Sequence, residues 1–150
     1  MIAECRRCSR GTSILEILIS TGVLLTLLAI GLPQLSTVRA PYILVGSARQ
    51  ISAAVQAARQ RAIARNVRYR VSFISSPPAY SVERDNGGTW VAELPLQLLP
   101  SGATLGTVTP GNPVFDTRGM LAAGVTVPIT VAGAGTKTVT VNVLGKTAIN

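Results

Sequence analysis

The chain contains no histidine, and its two cysteines, Cys5 and Cys8, both lie within the first eight residues. Aspartate and glutamate together number six in 150 residues. Without histidine the commonest general base is missing, and neither the usual nucleophile–base sets nor a mixed Cys/His zinc site can be assembled. No glycine-rich phosphate loop is present either. We therefore expect no enzymatic activity, no cofactor and no metal site.

The spacing Cys5-x-x-Cys8 suits a metal site or a redox pair, but two thiols supply at most half of a zinc site. No cysteine follows Cys8, so no disulfide can form within the rest of the chain. We expect that part to be held by apolar packing and backbone hydrogen bonds alone.

One uninterrupted apolar stretch accounts for much of the mean hydropathy of +0.42. It runs from Ile14 to Leu32 and contains no basic residue and a single acid, Glu16. A helix of that length spans roughly 30 Å, which is the thickness of a bilayer core. The stretch predicts a membrane-inserted helix.

Three arginines, Arg6, Arg7 and Arg10, precede this stretch with only Glu4 against them. Because arginine-rich flanks remain on the cytoplasmic side, the N-terminus is predicted inside and the remainder exported. An ordinary secretory signal peptide is the alternative. Such a peptide has a shorter apolar region and a small-residue cleavage site, which is absent just after Leu32.

The junction before the apolar stretch reads Arg-Gly-Thr-Ser-Ile-Leu-Glu over residues 10–16. It resembles the type III signal of type IV prepilins and of type II secretion pseudopilins. The resemblance implies cleavage between Gly11 and Thr12 by an aspartyl prepilin peptidase, with methylation of the new amine of Thr12. Glu16 is then the fifth mature residue, as in those families. The usual first mature residue is phenylalanine, and Thr12 departs from that pattern.

Glu16 is the residue on which this interpretation depends. A carboxylate within an apolar helix is costly and usually marks function, and the first turn of a helix favours negative charge. The resemblance implies that Glu16 pairs with the N-terminal amine of a neighbouring subunit during filament assembly. The alternative is a plain signal-anchor helix with an incidental glutamate.

A second helical segment is predicted from Tyr42 to Asn66. Pro33 closes the apolar stretch and predicts a kink, and Pro41 predicts a second break. After it, apolar residues recur at alternating steps of four and three, which is typical of an amphipathic helix. The stripe comprises Leu44, Ala48, Ile51, Val55, Ala58 and Ala62.

From Val67 onward the apolar period becomes two, which predicts strands. Asn86-Gly87 predicts a hairpin, and the alternating valines of residues 125–131 and 139–143 predict a closing hairpin turned at Gly133. Residues 95–113 are rich in proline and glycine and give no clear pattern. The prediction is an α+β fold, with a long N-terminal α-helix packed on a small antiparallel β-sheet head.

Several short motifs of this region resemble the GspH/FimT family of pseudopilins and minor pilins. They are Ala58-Arg59-x-x-Ala62, the Trp90 hairpin, Phe115-x-x-x-Gly119 and Gly145-Lys146. In that family the aromatic residue plugs the core and the glycine turns the chain. The resemblance implies a pilin-like organisation, with a leader (1–11), a transmembrane and filament-core helix (12–34), an amphipathic helix (35–66) and a β-rich periplasmic head (67–150).

Residues 35–150 carry eleven Lys and Arg against four acids, a net charge of +7. A solvated helix face, or contacts with acidic filament neighbours, explains this excess. The alternative is DNA capture, because some minor pilins of the family bind DNA. The candidate contacts are Arg59, Arg61, Arg65, Arg68, Arg70, Arg118, Lys137 and Lys146.

The leading hypothesis is a non-enzymatic structural subunit, a minor pilin or pseudopilin, of a type IV pilus or type II secretion pseudopilus. Its expected partners are other pilin subunits, the prepilin peptidase and the inner membrane, which it crosses once before joining the filament. Two alternatives stay open: a DNA-binding minor pilin for DNA uptake, and a membrane-anchored periplasmic module that does not polymerise.

Overall fold

The computed structural model describes residues 13–150, with the side chains of residues 31–38 excepted. Gly11 and Thr12 therefore lie outside the described residues. The chain divides into two compact units, Met1–Ser36 and Thr37–Asn150. One α-helix, α1 (Ile14–Arg65), contributes to both units.

Residues 14–30 of α1 carry mostly apolar side chains, and these are exposed. The leucine, isoleucine and valine side chains of residues 14–30 are 47–79% exposed. The hydroxyls of Thr21 and Thr26 donate to carbonyls one turn back, at 2.5 Å to Ile17 and 2.8 Å to Val23. Within the described residues, no helix combines the length and hydropathy needed to cross a membrane.

The predicted break at Pro41 is wrong, because α1 continues through it to Arg65. A proline removes one donor from the helix, and the other turns of so long a helix keep their hydrogen bonds. The helix ends where Asn66 adopts a positive φ of 54°, a conformation that commonly terminates helices. The kink at Pro33 stays a prediction.

The amphipathic stripe of α1 is confirmed. Its six residues are 0–4% exposed, and all belong to the core of the second unit. Of its five positions from Ala48 to Ala62, three are alanine, which lets the strands approach the helix closely, and the other two are the branched Ile51 and Val55. Burial of these side chains is the main driving force for docking the helix.

Two antiparallel sheets cover this helix face. The strands are β1 (Tyr69–Ser75), β2 (Pro78–Asn86), β3 (Thr89–Ala92), β4 (Gln97–Leu98), β5 (Ala103–Leu105), β6 (Val114–Phe115), β7 (Val125–Val131), β8 (Gly135–Val141) and β9 (Thr147–Ile149). Sheet A has the order β3-β2-β1-β6, with β4 also paired to β2. Sheet B has the order β5-β7-β8-β9.

Both predicted hairpins are present. Asn86 pairs with Thr89 across Gly87 and Gly88, whose φ angles are 69° and 96°. Val131 pairs with Gly135 around the Gly133 turn. The segment 95–113, which had no clear pattern, supplies β4 and β5.

Phe115 fills the centre of the core, as the family motif implied. It is fully buried together with Tyr69, Ile129 and Val139, which come from both sheets. Gly119 follows in a turn with a φ of 73°. The core of the second unit is therefore closed by its own helix and sheets.

Candidate assembly and interaction surfaces

Glu16 lies in the first turn of α1 and is exposed. Its N–H donates to the carbonyl of Ser13 at 2.9 Å, and its side chain borders a shallow depression together with Leu15 and Ile19. Among the side chains that the structure describes, no lysine or arginine is within salt-bridge distance of this carboxylate. The proposed cleavage and methylation positions, Gly11 and Thr12, are not among the described residues.

Four of the candidate DNA-contact arginines are ion-paired within the second unit, Thr37–Asn150, which is called the head from here on. Arg65 Nη1 lies 2.9 Å from Glu93 Oε2, and Arg61 Nε lies 3.9 Å from Glu93 Oε1. On sheet A, Arg70 Nε lies 2.6 Å from Glu83 Oε2, and Arg68 pairs with Asp85. These carboxylates reduce the positive potential that the five candidate arginines of residues 59–70 suggested.

Glu93 also binds Tyr69, whose side chain is completely buried. The Tyr69 hydroxyl donates to Glu93 and accepts from Arg65 Nη1 at 3.2 Å. Burial, followed by the hydrogen bond and the negative charge of Glu93, raises the pKa of Tyr69 above its ordinary value of 10.0, and Arg65 opposes this rise. The three residues connect the end of α1 with β1 and with the residue that follows β3.

One of the paired arginines on sheet A, Arg70, also contacts an aromatic ring. The guanidinium carbon of Arg70 lies 4.6 Å from the ring centroid of Trp90, a cation–π geometry. The N–H of Gly88 donates to Asp85 at 2.7 Å, and this bond, followed by the one from Arg68, lowers the pKa of Asp85. Asp85 therefore ties the β2–β3 turn to Arg68.

Arg59 binds the backbone of a glycine turn, and Gln56 on the same helix binds a second glycine turn. Arg59 Nε donates to the carbonyl of Gly119 at 3.1 Å. One turn earlier, Gln56 Nε2 donates to the carbonyl of Gly145 at 2.9 Å, and Ser52 shares a 2.8 Å hydrogen bond with Thr147. A polar row on α1 thus fixes the helix against sheet B.

The remaining candidate cations are Arg118, Lys137 and Lys146. Within the described part of the chain, none has a carboxylate at salt-bridge distance. Arg118 and Lys146 each adjoin one of the glycines, Gly119 and Gly145, whose turns are in contact. Lys137 lies opposite Ile129 near the start of β8, away from that contact. The turns that carry Arg118 and Lys146 are therefore in contact, whereas Lys137 lies on β8.

Sequence reasoning missed these pairings, although one signal was available. A hairpin turning at Ser76-Pro77 places Arg70 opposite Glu83, which is the observed register. The pairing of Glu93 with Arg61 and Arg65 depends on how sheet A packs on α1, and no local pattern indicates it. In the described residues no group of three potential metal-ligating side chains is close enough to hold an ion.

A long helix packed on antiparallel sheets, with a buried aromatic and glycine turns, defines a pilin-like α+β protein. The family model of the type II transport protein GspH matches residues 47–145. The chain belongs to this family.

Two solved structures have the same fold. The minor pseudopilin EpsH from the type 2 secretion system of Vibrio cholerae is 15% identical, with 71% of this chain and 95% of that chain covered and a TM-score of 0.60. The type IV minor pilin FimU of Pseudomonas aeruginosa is 16% identical, with 71% and 87% covered and a TM-score of 0.59. Comparison with curated proteins gives no match.

The contact between the glycine turns predicts different effects of alanine at two positions. Gly133 and Gly145 both have positive φ, 81° and 74°, so alanine costs about 1–3 kcal/mol at either. A Cβ at Gly145 would also lie 2.7 Å from Arg59 Cδ and 2.8 Å from the carbonyl oxygen of Gly119, whereas Gly133 has open space. We expect Gly145→Ala to lower the free energy of unfolding by about 1–3 kcal/mol more than Gly133→Ala.

Guanidinium unfolding of the full chain in detergent, followed by the fluorescence of Trp90, measures this difference, since the chain has one tryptophan. Equal losses for the two variants would show that Arg59 does not confine Gly145.

Removing the charge of Glu93 is expected to shift the titration of Tyr69. In Glu93→Gln the neutral amide no longer opposes phenolate formation, so the pKa of Tyr69 falls. Glu83→Gln is the matched control, because Glu83 pairs with Arg70 and not with Tyr69. Ultraviolet phenolate absorbance against pH, with Tyr69→Phe subtracted, gives the measurement. A shift of the same size in both variants contradicts the assignment.

The raised pKa also fixes the sign of the alkaline pH dependence. The native state holds the Tyr69 proton more tightly than the unfolded state. The stability that this group contributes is therefore fully present below about pH 10 and is lost as the pH rises through the native pKa.

Proposed function

We propose that this protein is a minor structural subunit of a type II secretion pseudopilus or a type IV pilus, without enzymatic activity. The observation that carries the proposal is the contrast between its two units. The head closes its own core, whereas the apolar side chains of residues 14–30 are 47–79% exposed. A helix that is apolar on all sides requires lipid or other apolar helices around it. A subunit held first in the inner membrane and then in a filament meets both needs.

In this proposal Glu16 determines how neighbouring subunits align when they assemble. Its exposed carboxylate belongs to the same apolar helix surface. Cleavage after Gly11 by a prepilin peptidase leaves an amine on Thr12, which is then methylated. Pairing this amine with Glu16 of a neighbouring subunit neutralises two charges that would be costly to bury alone. The arginines before the junction keep the leader cytoplasmic and the head periplasmic.

The carboxylates of the head favour a structural role over an enzymatic one. Its four side-chain carboxylates, Glu83, Asp85, Glu93 and Asp116, all bind groups within the head. A catalytic acid or base needs a proton-transfer partner at a substrate site, and these carboxylates face arginines or backbone N–H groups instead.

DNA binding is the second candidate function, and the ion pairs reduce its basis. Arg61, Arg65, Arg68 and Arg70 face carboxylates, and Arg59 binds a carbonyl. Phosphate contacts from the remaining cations alone give weak, salt-dependent binding without sequence preference.

The mature N-terminus tests the processing step. Mass spectrometry of the protein from its own host should find a chain that starts at Thr12 with a methylated amine. A stable form that retains Met1 to Gly11, or one that begins well beyond Leu32, contradicts this step.

Glu16→Val tests assembly. Without the carboxylate, the amine of a neighbour is buried unpaired, which costs about 3–5 kcal/mol, so incorporation into filaments is expected to fall at least about a hundredfold. Thr21→Val is the matched control, since it makes the same helix more apolar without removing a charge. Immunoblots compare the sheared-filament and membrane fractions. If Glu16→Val is incorporated as well as the parent, the chain is a membrane anchor that does not polymerise.

A further inference from the structure

The β2–β3 turn contains the one Asn-Gly pair of the sequence, Asn86-Gly87. In such a pair the backbone nitrogen of the glycine can attack the carboxamide carbon of the asparagine and close a five-membered ring, and glycine has no side chain to hinder the attack. Both residues are exposed, and a Cβ at Gly87 would meet no neighbouring group within 4 Å. The turn is therefore open to water and has room for the motion that ring closure requires.

The reacting groups of this pair are not held by other residues. Among the described residues, the N–H of Gly87 has no acceptor, whereas the N–H of the next residue, Gly88, donates to Asp85 Oδ1 at 2.7 Å. The carboxamide of Asn86 is at the exposed end of β2. Neither the attacking nitrogen nor the carboxamide has to give up a hydrogen bond within the described head before they react.

Three other asparagines of the head are protected by their surroundings. Asn112 is followed by Pro113, whose nitrogen has no proton to lose. Asn66 and Asn142 are each followed by valine, whose branched side chain crowds the backbone nitrogen. The carboxamide oxygen of Asn142 also accepts the N–H of Lys146 at 2.8 Å. Ring closure is therefore expected at the Asn-Gly pair and not at these three positions.

We propose that Asn86 is a site of spontaneous deamidation, at which water converts the asparagine into aspartate and isoaspartate. The Gly87 nitrogen bonds to the carboxamide carbon, and the carboxamide nitrogen leaves as ammonia with the proton of the Gly87 N–H. Water then opens the resulting succinimide. Opening at the side-chain carbonyl carbon gives aspartate, and opening at the main-chain carbonyl carbon gives isoaspartate. One water is consumed and one ammonia is released, and no oxidant or reductant takes part.

The hairpin sets the rate of this reaction. Asn86 ends β2 and pairs with Thr89, and in an extended residue the following nitrogen is turned away from the Cβ atom. Ring closure therefore requires the turn to open locally. Asp85 opposes this opening, because it binds the N–H of Gly88 and the guanidinium of Arg68. Deamidation is thus slower in the folded head than in an unfolded chain.

Deamidation changes both the charge and the backbone of the turn. A neutral carboxamide becomes a carboxylate, so the net charge of residues 35–150 falls from +7 to +6. Isoaspartate also adds a methylene group to the main chain of a two-residue turn, whose length matches the pairing of Asn86 with Thr89. Because the ammonia is lost, the change accumulates with the age of the protein. The proposal does not rest on the proposed function, since the reaction needs only water and this turn.

Peptide mapping by mass spectrometry tests the proposal on the full chain, folded in detergent and incubated at neutral pH in ¹⁸O-labelled water. The peptide that contains Asn86 should give two separable products of equal mass, aspartate and isoaspartate, each with a newly incorporated ¹⁸O atom. The peptides that contain Asn112 and Asn142 are internal controls and should stay unchanged in the same digest. The same chain in guanidinium should convert faster at Asn86.

Asp85→Ser tests whether the hairpin sets the rate. The turn loses the hydrogen bonds to Gly88 and Arg68, so conversion is expected to accelerate about two- to tenfold. Glu83→Ser is the matched control, because it removes an acid from the same strand that binds Arg70 and not the turn, and it should accelerate conversion less. Circular dichroism shows whether both variants keep the fold, and the parent chain decides the proposal if either does not.

Isotope pulse-labelling in the host separates the reaction from changes during handling. Protein labelled in an early pulse should carry more aspartate and isoaspartate at position 86 than newly made protein that is purified and digested with it. Equal fractions in old and new protein would assign the products to handling alone and overturn the proposal.

Three further results would also overturn it. Asn86 that stays intact in the folded chain while the denatured chain converts would show that the fold prevents the reaction. Aspartate without isoaspartate would show direct hydrolysis instead of ring closure. Equal acceleration by Asp85→Ser and Glu83→Ser would show that the contacts of Asp85 do not control the turn.

Discussion

The burial of one stripe of α1 against two sheets organises the head. Ala48, Ala58 and Ala62 allow the strands to approach the helix, and Tyr69 and Phe115 are fully buried in the same core. Since apolar packing is not directional, it does not by itself fix the helix along its axis. The polar row of Ser52, Gln56 and Arg59 does so, because each forms a directed hydrogen bond to sheet B or its turns. Apolar packing thus holds the helix on the sheets, and the polar contacts fix its position along its own axis.

The same docking decides what the charged residues can do. Bringing sheet A against the end of α1 places Glu93 beside Arg61, Arg65 and Tyr69. A run of arginines that suggests nucleic-acid binding becomes largely a set of internal pairs. The arginine side chains of these pairs are 29–56% exposed and the carboxylates 9–20% exposed. Solvent therefore screens the pairs in part and limits their contribution to stability, and they also lower the positive surface potential.

The apolar side chains of the two units are shielded from water in different ways. The head buries its apolar residues in its own core. The apolar residues 14–30 of α1 are exposed, and they can be buried only against lipid or another protein. Lipid and neighbouring helices are both suitable covers, and a subunit that passes from one to the other uses the same surface twice. In the proposed assembly, the one acid among residues 14–30, Glu16, adds the directional element that apolar contacts lack.

Local patterns in the sequence were enough to predict that the apolar stretch is helical, the amphipathic stripe and both hairpins, because these depend on neighbours along the chain. The burial of Phe115 and the turn at Gly119 were implied by the resemblance of a short motif to the family. The break predicted at Pro41 was wrong, since the loss of one donor does not end a helix that is otherwise intact. Strands β4 and β5 lack a pattern of their own and exist through pairing with β2 and β7. The partners of the arginines and the contact between Gly119 and Gly145 were decided by tertiary structure, because they require residues far apart in sequence to meet at distances that only the packed helix and sheets set.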